Sequence, residues 1–316
     1  MKKLKLLIAA IFAFSMPFVA VAPAMADDKA PEKPAISLQI SPVSNRIFMT
    51  HGESKTYTMN VNNIGSDEFS FRVYAAPYTV ANENYDINFS NETKRTQITR
   101  WITFKTEAGD YAKEATFKVA PNERVTVEYK VDVPEDVPAG GQYATVFAET
   151  IPNKDANSTG IRTVSRVGLI IYGRTDGATK DSAKVENTEI QAFMTSGDIN
   201  VRSHVINDGN TDFQASVKLT VKGLFGKELS TQTKGFDVLP DTARNIAVNW
   251  EDTPVMGIFH VTAEIKALDQ TETISKIVLV LPVFIIVIMA ILLTILIVWI
   301  ILLVKKRRSQ RSRLLV

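Results

Sequence analysis

Apolar residues recur at every second position along most of the chain's length, and that period is the strongest constraint on what it can fold into. The alternation runs through Ile36/Leu38/Ile40, Tyr57/Met59/Val61, Phe69/Phe71/Val73 and Ala115/Phe117/Val119, then Val125 to Val133. It resumes at Ile199/Val201, Phe213 to Val221, Ile246/Val248/Trp250 and Phe259 to Ile265. A period of two puts one side of each segment in a core and the other in water, which describes half-buried strands broken by Gly, Asn, Asp and Pro turns. Tyr143–Glu149 and Val164–Tyr172 are apolar on both parities and read as central strands. No part of the body holds a 3.6-residue period long enough for an amphipathic helix. The expected fold class is all-β, two tandem Ig-like β-sandwiches.

The division into two rests on internal echoes. VNNIGSDEF (Val61–Phe69) and VINDGNTDF (Val205–Phe213) share V-x-N-x-G-x-x-[DE]-F, which reads as strand, turn and re-entry through a buried Phe. Gly65 and Gly209 are expected to supply a positive φ there. APNERVTVEY (Ala120–Tyr129) parallels LPDTARNIAVNW (Leu239–Trp250), and PAGGQYATV (Pro138–Val146) parallels PVMGIFHVT (Pro254–Thr262). The polar stretch Arg174–Ser182 separates the units, giving sandwich 1 at 36–175 and sandwich 2 at 183–275.

Two apolar runs flank the body. Lys2, Lys3 and Lys5, the run Leu6–Ala22 and the A-x-A site Ala24–Ala26 have the three parts of a secretory signal peptide, 1–26, with cleavage expected between Ala26 and Asp27. Residues 27–35 are a charged, Pro-rich spacer. Ile277–Val304 is 28 residues without a charge, above the ~20 that cross a bilayer. Lys305, Lys306, Arg307 and Arg308 open a basic tail, 305–316, which the positive-inside rule places in the cytoplasm with 27–276 outside. The reading is a single-pass type I membrane protein whose helix and tail contact lipid.

The chain of 316 residues carries a net charge of +2, but the charges are segregated: 27–276 holds 27 bases against 34 acids. An acidic body lacks the basic face of a nucleic-acid binder. With no cysteine, disulfides, thiolate metal sites and a Cys nucleophile are excluded. An exported body that is stable without disulfides suits a Gram-positive-type bacterium. The N-x-S/T sites at Asn88, Asn91 and Asn157 are therefore read as unused acceptors. The chain has no G-x-S-x-G, H-E-x-x-H or P-loop motif, and His51, His204 and His260 stand apart from other metal-type ligands. His204 follows Ser203, yet neighbours on a strand face opposite ways and do not make a catalytic dyad. LPDTA (Leu239–Ala243) resembles a sortase signal but lies too far before the apolar run, and reads as a turn. No enzyme, cofactor or metal is expected.

One segment breaks the alternation and has no echo in the second unit: YAAPYTVANENYDINFSNETKR, Tyr74–Arg95. Tyr78, Asn82, Asn84, Tyr85 and Asn88 combine ring faces with amide donors and acceptors, a chemistry suited to sugar or peptide ligands, and Trp101 adds a platform nearby.

Residues 42–89, with the opening Pro42, the Gly52 turn, V-x-N-x-G and TVANENY (Thr79–Tyr85), resemble the first extracellular domain of the WxL-interacting surface proteins of Gram-positive bacteria. Phe117–Val146 is similar to that domain's Pro-led runs, and the order of signal, body, helix and basic tail matches the family's layout. The resemblance implies an Ig-like, peptidoglycan-associated first domain. The expected function is non-covalent attachment to peptidoglycan or to another cell-surface protein, such as a WxL-domain protein. The alternative is a ligand-free stalk or an accessory subunit of a membrane complex, with sandwich edges pairing with a partner strand.

Overall fold

The computed structural model describes residues 34–152 and 164–312, with side chains to Val304. The expected signal peptide, the Ala26–Asp27 cleavage point, Asn157 and the side chains of Lys305–Arg308 lie outside the described residues.

Twelve strands form the first sandwich: β1 (Leu38–Ser41), β2 (Ser44–Met49), β3 (Ser54–Asn63), β4 (Phe69–Pro77), β5 (Thr79–Val80), β6 (Ile87–Asn88), β7 (Ile102–Lys105), β8 (Tyr111–Ala112), β9 (Glu114–Val119), β10 (Arg124–Asp132), β11 (Gly140–Ile151) and β12 (Arg166–Thr175). One sheet has the order β1-β3-β10-β7-β8 and the other β2-β12-β11-β4-β9; β5 and β6 form a separate hairpin. The second sandwich comprises β13 (Ala183–Ile190), β14 (Phe193–Met194), β15 (Ile199–Asn207), β16 (Phe213–Gly223), β17 (Glu228–Val238), β18 (Thr242–Trp250), β19 (Gly257–Ala267) and β20 (Gln270–Val280). Its sheets run β13-β15-β18 and β14-β20-β19-β16-β17.

The two units share one plan. In each, the opening segment pairs antiparallel with the next long strand (β1 on β3, β13 on β15). It then switches sheets to pair parallel with the last strand (β2 on β12, β14 on β20). The chain is thus two tandem Ig-like sandwiches, each with its inward-facing alternate residues forming one core. Phe71, Phe104, Tyr129, Leu219 and Ile246 are fully buried, and each large apolar side chain so placed contributes roughly 1.5–3 kcal/mol. Tyr129 carries a hydroxyl into the first core, where Asn45 Nδ2 donates to it at 3.1 Å; burial pushes its phenol up to about 12.

The echoes correspond to turns in the same places. Asn63 and Asn207, both buried, are the last residues of β3 and β15, where the chain enters the loops to β4 and β16. Asn63 Nδ2 donates to the Asp67 and Val119 carbonyls and its Oδ1 accepts from Gly65 N–H at 2.9 Å. Asn207 Nδ2 donates to Thr211 and Val238, and its Oδ1 accepts from Gly209 N–H at 2.9 Å. The expectation of a positive φ at Gly65 and Gly209 is corrected: neither adopts one. Gly209 is required instead by close approach, since a Cβ there would strike the backbone carbonyl of Lys180. In the second echo, Asn122 and Asp241 both take φ 59, so the left-handed position falls one residue after each Pro. In the third, Gly141 and Gly257 lie beneath the rings of Tyr143 and Phe259, two residues on, where a Cβ would collide.

Ile277–Val280 belongs to β20 and pairs with β19, so the apolar run splits: its first residues finish a sheet. Helix α1 (Val283–Ser312) follows after Leu281 and Pro282, and its stretch Val283–Val304 is long and apolar enough to cross a membrane, with none of it buried against the body.

Candidate functional site

Between β4 and β9 the first sandwich carries the unechoed segment, whereas β16 and β17 are joined by a tight turn at Leu224–Lys227. Asn82 builds the β5–β6 hairpin's turn: its Oδ1 accepts from Asn84 N–H at 3.0 Å and Asp86 N–H at 3.3 Å, and its Nδ2 donates to Asp86 at 2.7 Å. Asn88 closes the far side, accepting from Ser90 and Asn91 N–H at 2.8 and 3.1 Å. Both amides are thus spent on loop geometry. Asn84 is exposed.

Tyr85 sits at φ 66 in that turn. A left-handed bulky residue costs of order 1–3 kcal/mol unless its surroundings hold it there. They do: its hydroxyl accepts from Leu239 N–H at 2.5 Å and bonds Thr242 Oγ1 at 3.1 Å, while Arg244 lies 4.1 Å over its ring. All three partners belong to the second sandwich. Tyr78 is 6% exposed and stands edge-on to Tyr172, with ring centroids 6.0 Å apart. Trp101 is buried in the first core, behind the 3-10 turn Gln97–Arg100. The structure therefore gathers Tyr78 and Tyr85 at the seam between the sandwiches, leaves Asn82, Asn84 and Asn88 on the hairpin, and separates Trp101 from them.

The hairpin lies across the outer face of the β2-β12-β11-β4-β9 sheet, which explains why β11 is buried on both sides. A row of rings runs along that face: Tyr74 against Phe147, Phe147 against Phe89, Phe89 against Tyr78, Tyr78 against Tyr172, and Tyr172 against Tyr143. At the outer end, Glu149 accepts from Arg72 and from Tyr74 at 2.8 and 2.9 Å. Burial would raise the Glu149 pKa, but these two bonds outweigh it and hold the carboxyl below its ordinary value.

At the inner end the row meets sandwich 2. Tyr143 donates to Asp212 Oδ1 at 3.0 Å, and Arg46 pairs with the other oxygen of Asp212 and with Asp237 at 2.6 Å. Arg46 also covers the Tyr172 ring at 4.4 Å. Backbone bonds cross as well: Gly141 N–H to Asn210 O at 2.7 Å and Asn245 N–H to Glu83 O at 2.7 Å. Sequence reasoning missed Arg46, Tyr143, Tyr172, Asp212 and Arg244. Only Asp212 left a trace, as the acid of V-x-N-x-G-x-x-[DE]-F. Its counterpart Glu68 pairs with Lys118 on the surface, so the motif alone does not mark a seam.

A cavity of about 400 Å³ opens beside the seam, lined by Tyr78, Lys94, Arg95, Tyr143, Asp241 and Thr242 among others. Lys94 and Arg95 both pair with Asp241, at 3.2 and 3.3 Å. A second, more polar cavity lies between Glu83, Asn84 and the β15–β18 face, where His204 Nε2 is 3.4 Å from Glu83. Ser203 faces the other way, toward Thr188 Oγ1 at 2.9 Å. Among the described residues no three His, Asp or Glu side chains gather as a metal-binding set.

No family model matches the chain, and no curated protein matches it. Among solved structures it is similar to the class 5 fimbriae chaperone CfaA, at 11% identity over 78% of this chain and 100% of that one, TM-score 0.37. It is also similar to the E. coli chaperone DraB, at 12% identity over 78% and 98%, TM-score 0.36. A third is a chain of the Salmonella enterica SafA pilin–SafB chaperone complex, at 12% identity over 77% and 96%, TM-score 0.34. The likeness is one of fold. These findings correct the sequence resemblance: several of the solved structures similar to this chain are pilus chaperones, and the resemblance to WxL-interacting proteins is not supported. Attachment to peptidoglycan or to a WxL-domain protein falls with it. The physical reason lies in the motifs. Asn-x-Gly and the Pro-led turns occur at matching places in both sandwiches, so they encode how such a sandwich turns its corners and not a family.

Proposed function

We propose that the chain is a membrane-anchored accessory subunit that holds a protein partner outside the membrane by adding the partner's extended segment to the free edge of β17. In this reading residues 1–26 are removed on export, the two sandwiches stand outside, α1 spans the bilayer and the basic tail lies in the cytoplasm, the orientation that positive-inside bias favours. The observation that carries the proposal is the β17 edge. Ten of its eleven residues pair, on one side only, with β16; Leu229 bulges out of the register near the strand's start, and among the described residues no backbone bond occupies the other side. An unpaired strand edge is a ready template for another strand, and proteins usually blunt it with charge, proline, bulges or short length. Other edges here are so treated. β8 and β14 are two residues long, β13 carries Lys184, Glu186 and Glu189 along its length, and β18 is capped by Asn245 N–H to Glu83 and by Gln232 Nε2 to Asn249 O at 2.6 Å. Leu229–Thr233 of β17 has neither charge nor proline.

A photo-crosslinker at Thr231 of the full chain, in its native membrane, tests this. The expected result is one dominant protein adduct that disappears in Thr231→Lys/Thr233→Lys and is absent from a crosslinker at Asp269. The same adducts at both positions, or adducts unaffected by the lysines, would overturn the proposal.

A further inference from the structure

We propose that the end of sandwich 2 next to α1 seats in the outer leaflet of the bilayer, through an apolar rim built from the β16–β17 turn, the β18–β19 loop and the outer face of β14, β19 and β20. The inference rests on the reading of α1 as membrane-spanning and adds a second lipid contact to it.

Register places these parts at one level. Gly257 pairs with Val280 and Gly223 with Phe259. From Gly223 the turn runs two residues further to Phe225, about 7 Å at the rise of a strand, which brings its tip level with Gly257 and Val280. Helix α1 begins three residues beyond Val280. The connection is tight: Leu281 N–H still bonds Met194 O at 2.8 Å, and Ile285 N–H already bonds Pro282 O at 3.0 Å. Wherever the helix enters lipid, this rim is within a few residues of the surface.

The rim is apolar where water should meet it. Phe225 is 96% exposed, Val255 73% and Met256 57%. On the adjoining sheet face, Phe193, Leu279 and Ile258 are exposed neighbours across three strands, in the register Phe193↔Leu279↔Ile258. A contiguous exposed apolar patch marks a binding surface, and aromatic and aliphatic side chains beside a spanning helix suit the headgroup–acyl boundary. Continuity with α1 decides the occupant: the bilayer is the apolar phase that the chain itself brings to this end. Charge does not recruit it. Glu251 and Asp252 lie in the β18–β19 loop and Asp198 in the β14–β15 loop, outnumbering Lys227 of the β16–β17 turn, so seating depends on apolar insertion and needs no anionic lipid.

The cysteine-free chain allows single labelling sites. Full-length protein carrying an environment-sensitive fluorophore at Phe225→Cys, Met256→Cys, Asp269→Cys or Leu293→Cys is placed, one chain per disc, in phosphatidylcholine nanodiscs with spin-labelled lipids. Asp269 is in the β19–β20 turn at the opposite end of the sheet, and Leu293 is mid-helix. The expected result is blue-shifted emission at 225 and 256 that is lost to a shallow spin label, water-like emission at 269, and loss at 293 to a deep label. Adding phosphatidylglycerol should change none of these. If 293 is quenched while 225 and 256 behave like 269, the seating is overturned and the spanning helix survives. A blue shift at 225 without lipid quenching assigns the rim to protein and overturns it also. If 293 is not quenched, the membrane reading itself fails.

Discussion

Tyr143 of the first sandwich donates its hydroxyl to Asp212 of the second at 3.0 Å, and Arg46 holds that carboxylate's other oxygen. The Asp212 side chain is only 9% exposed, so its charge is satisfied by groups from the neighbouring unit. Burial first, and then the Asp212 charge, push the Tyr143 hydroxyl far above its ordinary range, keeping it a donor wherever the protein is folded. Tyr143→Phe removes one bond to a carboxylate and is expected to cost about 1.5–3 kcal/mol. Thermal unfolding of the full chain in detergent measures it. Combined with Arg46→Gln the losses should be non-additive, because both act on one group; strict additivity would show that the two do not share Asp212.

Asn63 and Asn207 provide paired tests. Each ties a turn to the strand pair beside it through three bonds inside the core. Alanine at either position leaves buried carbonyls and a glycine N–H without partners, for a loss of about 2–3 kcal/mol. Aspartate keeps the acceptor but not the amide donors and should be no better. The damage should fall on the sandwich that carries the change, read as hydrogen-exchange protection of its own strands.

Gly140 packs directly against the backbone of the second sandwich. Its φ is +107°, and a Cβ would overlap the Asn210 carbonyl, which also accepts from Gly141 N–H at 2.7 Å. Gly140→Ala therefore meets both backbone strain and an immovable neighbour. The expected outcome is a seam that opens, with increased hydrogen exchange at Gly141 and Asn245, while the two cores keep their protection. Gly109→Ala, with open space around it despite a similar φ, is the control for strain alone.

His51 supplies a pH dependence. Its ring sits between two acceptors, the Val137 carbonyl at 2.9 Å from Nε2 and the Asp176 carboxylate at Nδ1. A ring donating from both nitrogens is the imidazolium, so the bond to Val137, followed by that to Asp176, raises the His51 pKa. A raised native pKa stabilises the fold fully below the unfolded value of about 6.5, and that contribution is lost as pH rises through the native one. NMR titration of His51 should give a midpoint above 6.5 that falls in Asp176→Asn. His51→Gln should flatten the stability profile in that window.

Alternation made the strands legible, because residues such as Met59, Val61, Val217 and Leu219 are placed by a period that any core imposes. The repeat was legible for a similar reason: Asn63 and Asn207 each build their turn with partners two and four residues on, so the motif that makes the turn is contiguous in sequence. The seam was not. Tyr78 and Tyr85 looked like a recognition surface because exposed aromatics and buried ones have the same letters, and their partners lie more than 90 residues away. Arg46 meets Asp212 across 166 residues, a pairing that no spacing rule anticipates. The start of the helix was obscured because Ile277–Val280 satisfies a core as well as it would a bilayer.

The short passage from β20 into α1 has a mechanical consequence. With only Leu281 and Pro282 between them, and with α1 in a membrane as proposed, tension on the helix would enter the sandwich along the axis of β20, at the end clamped by β14. β20 is laced to β19 over eleven residue pairs. Load along that axis is shared among all of them as shear and does not peel them singly, so the strand that leads into the anchor is also the tether that resists being torn from it.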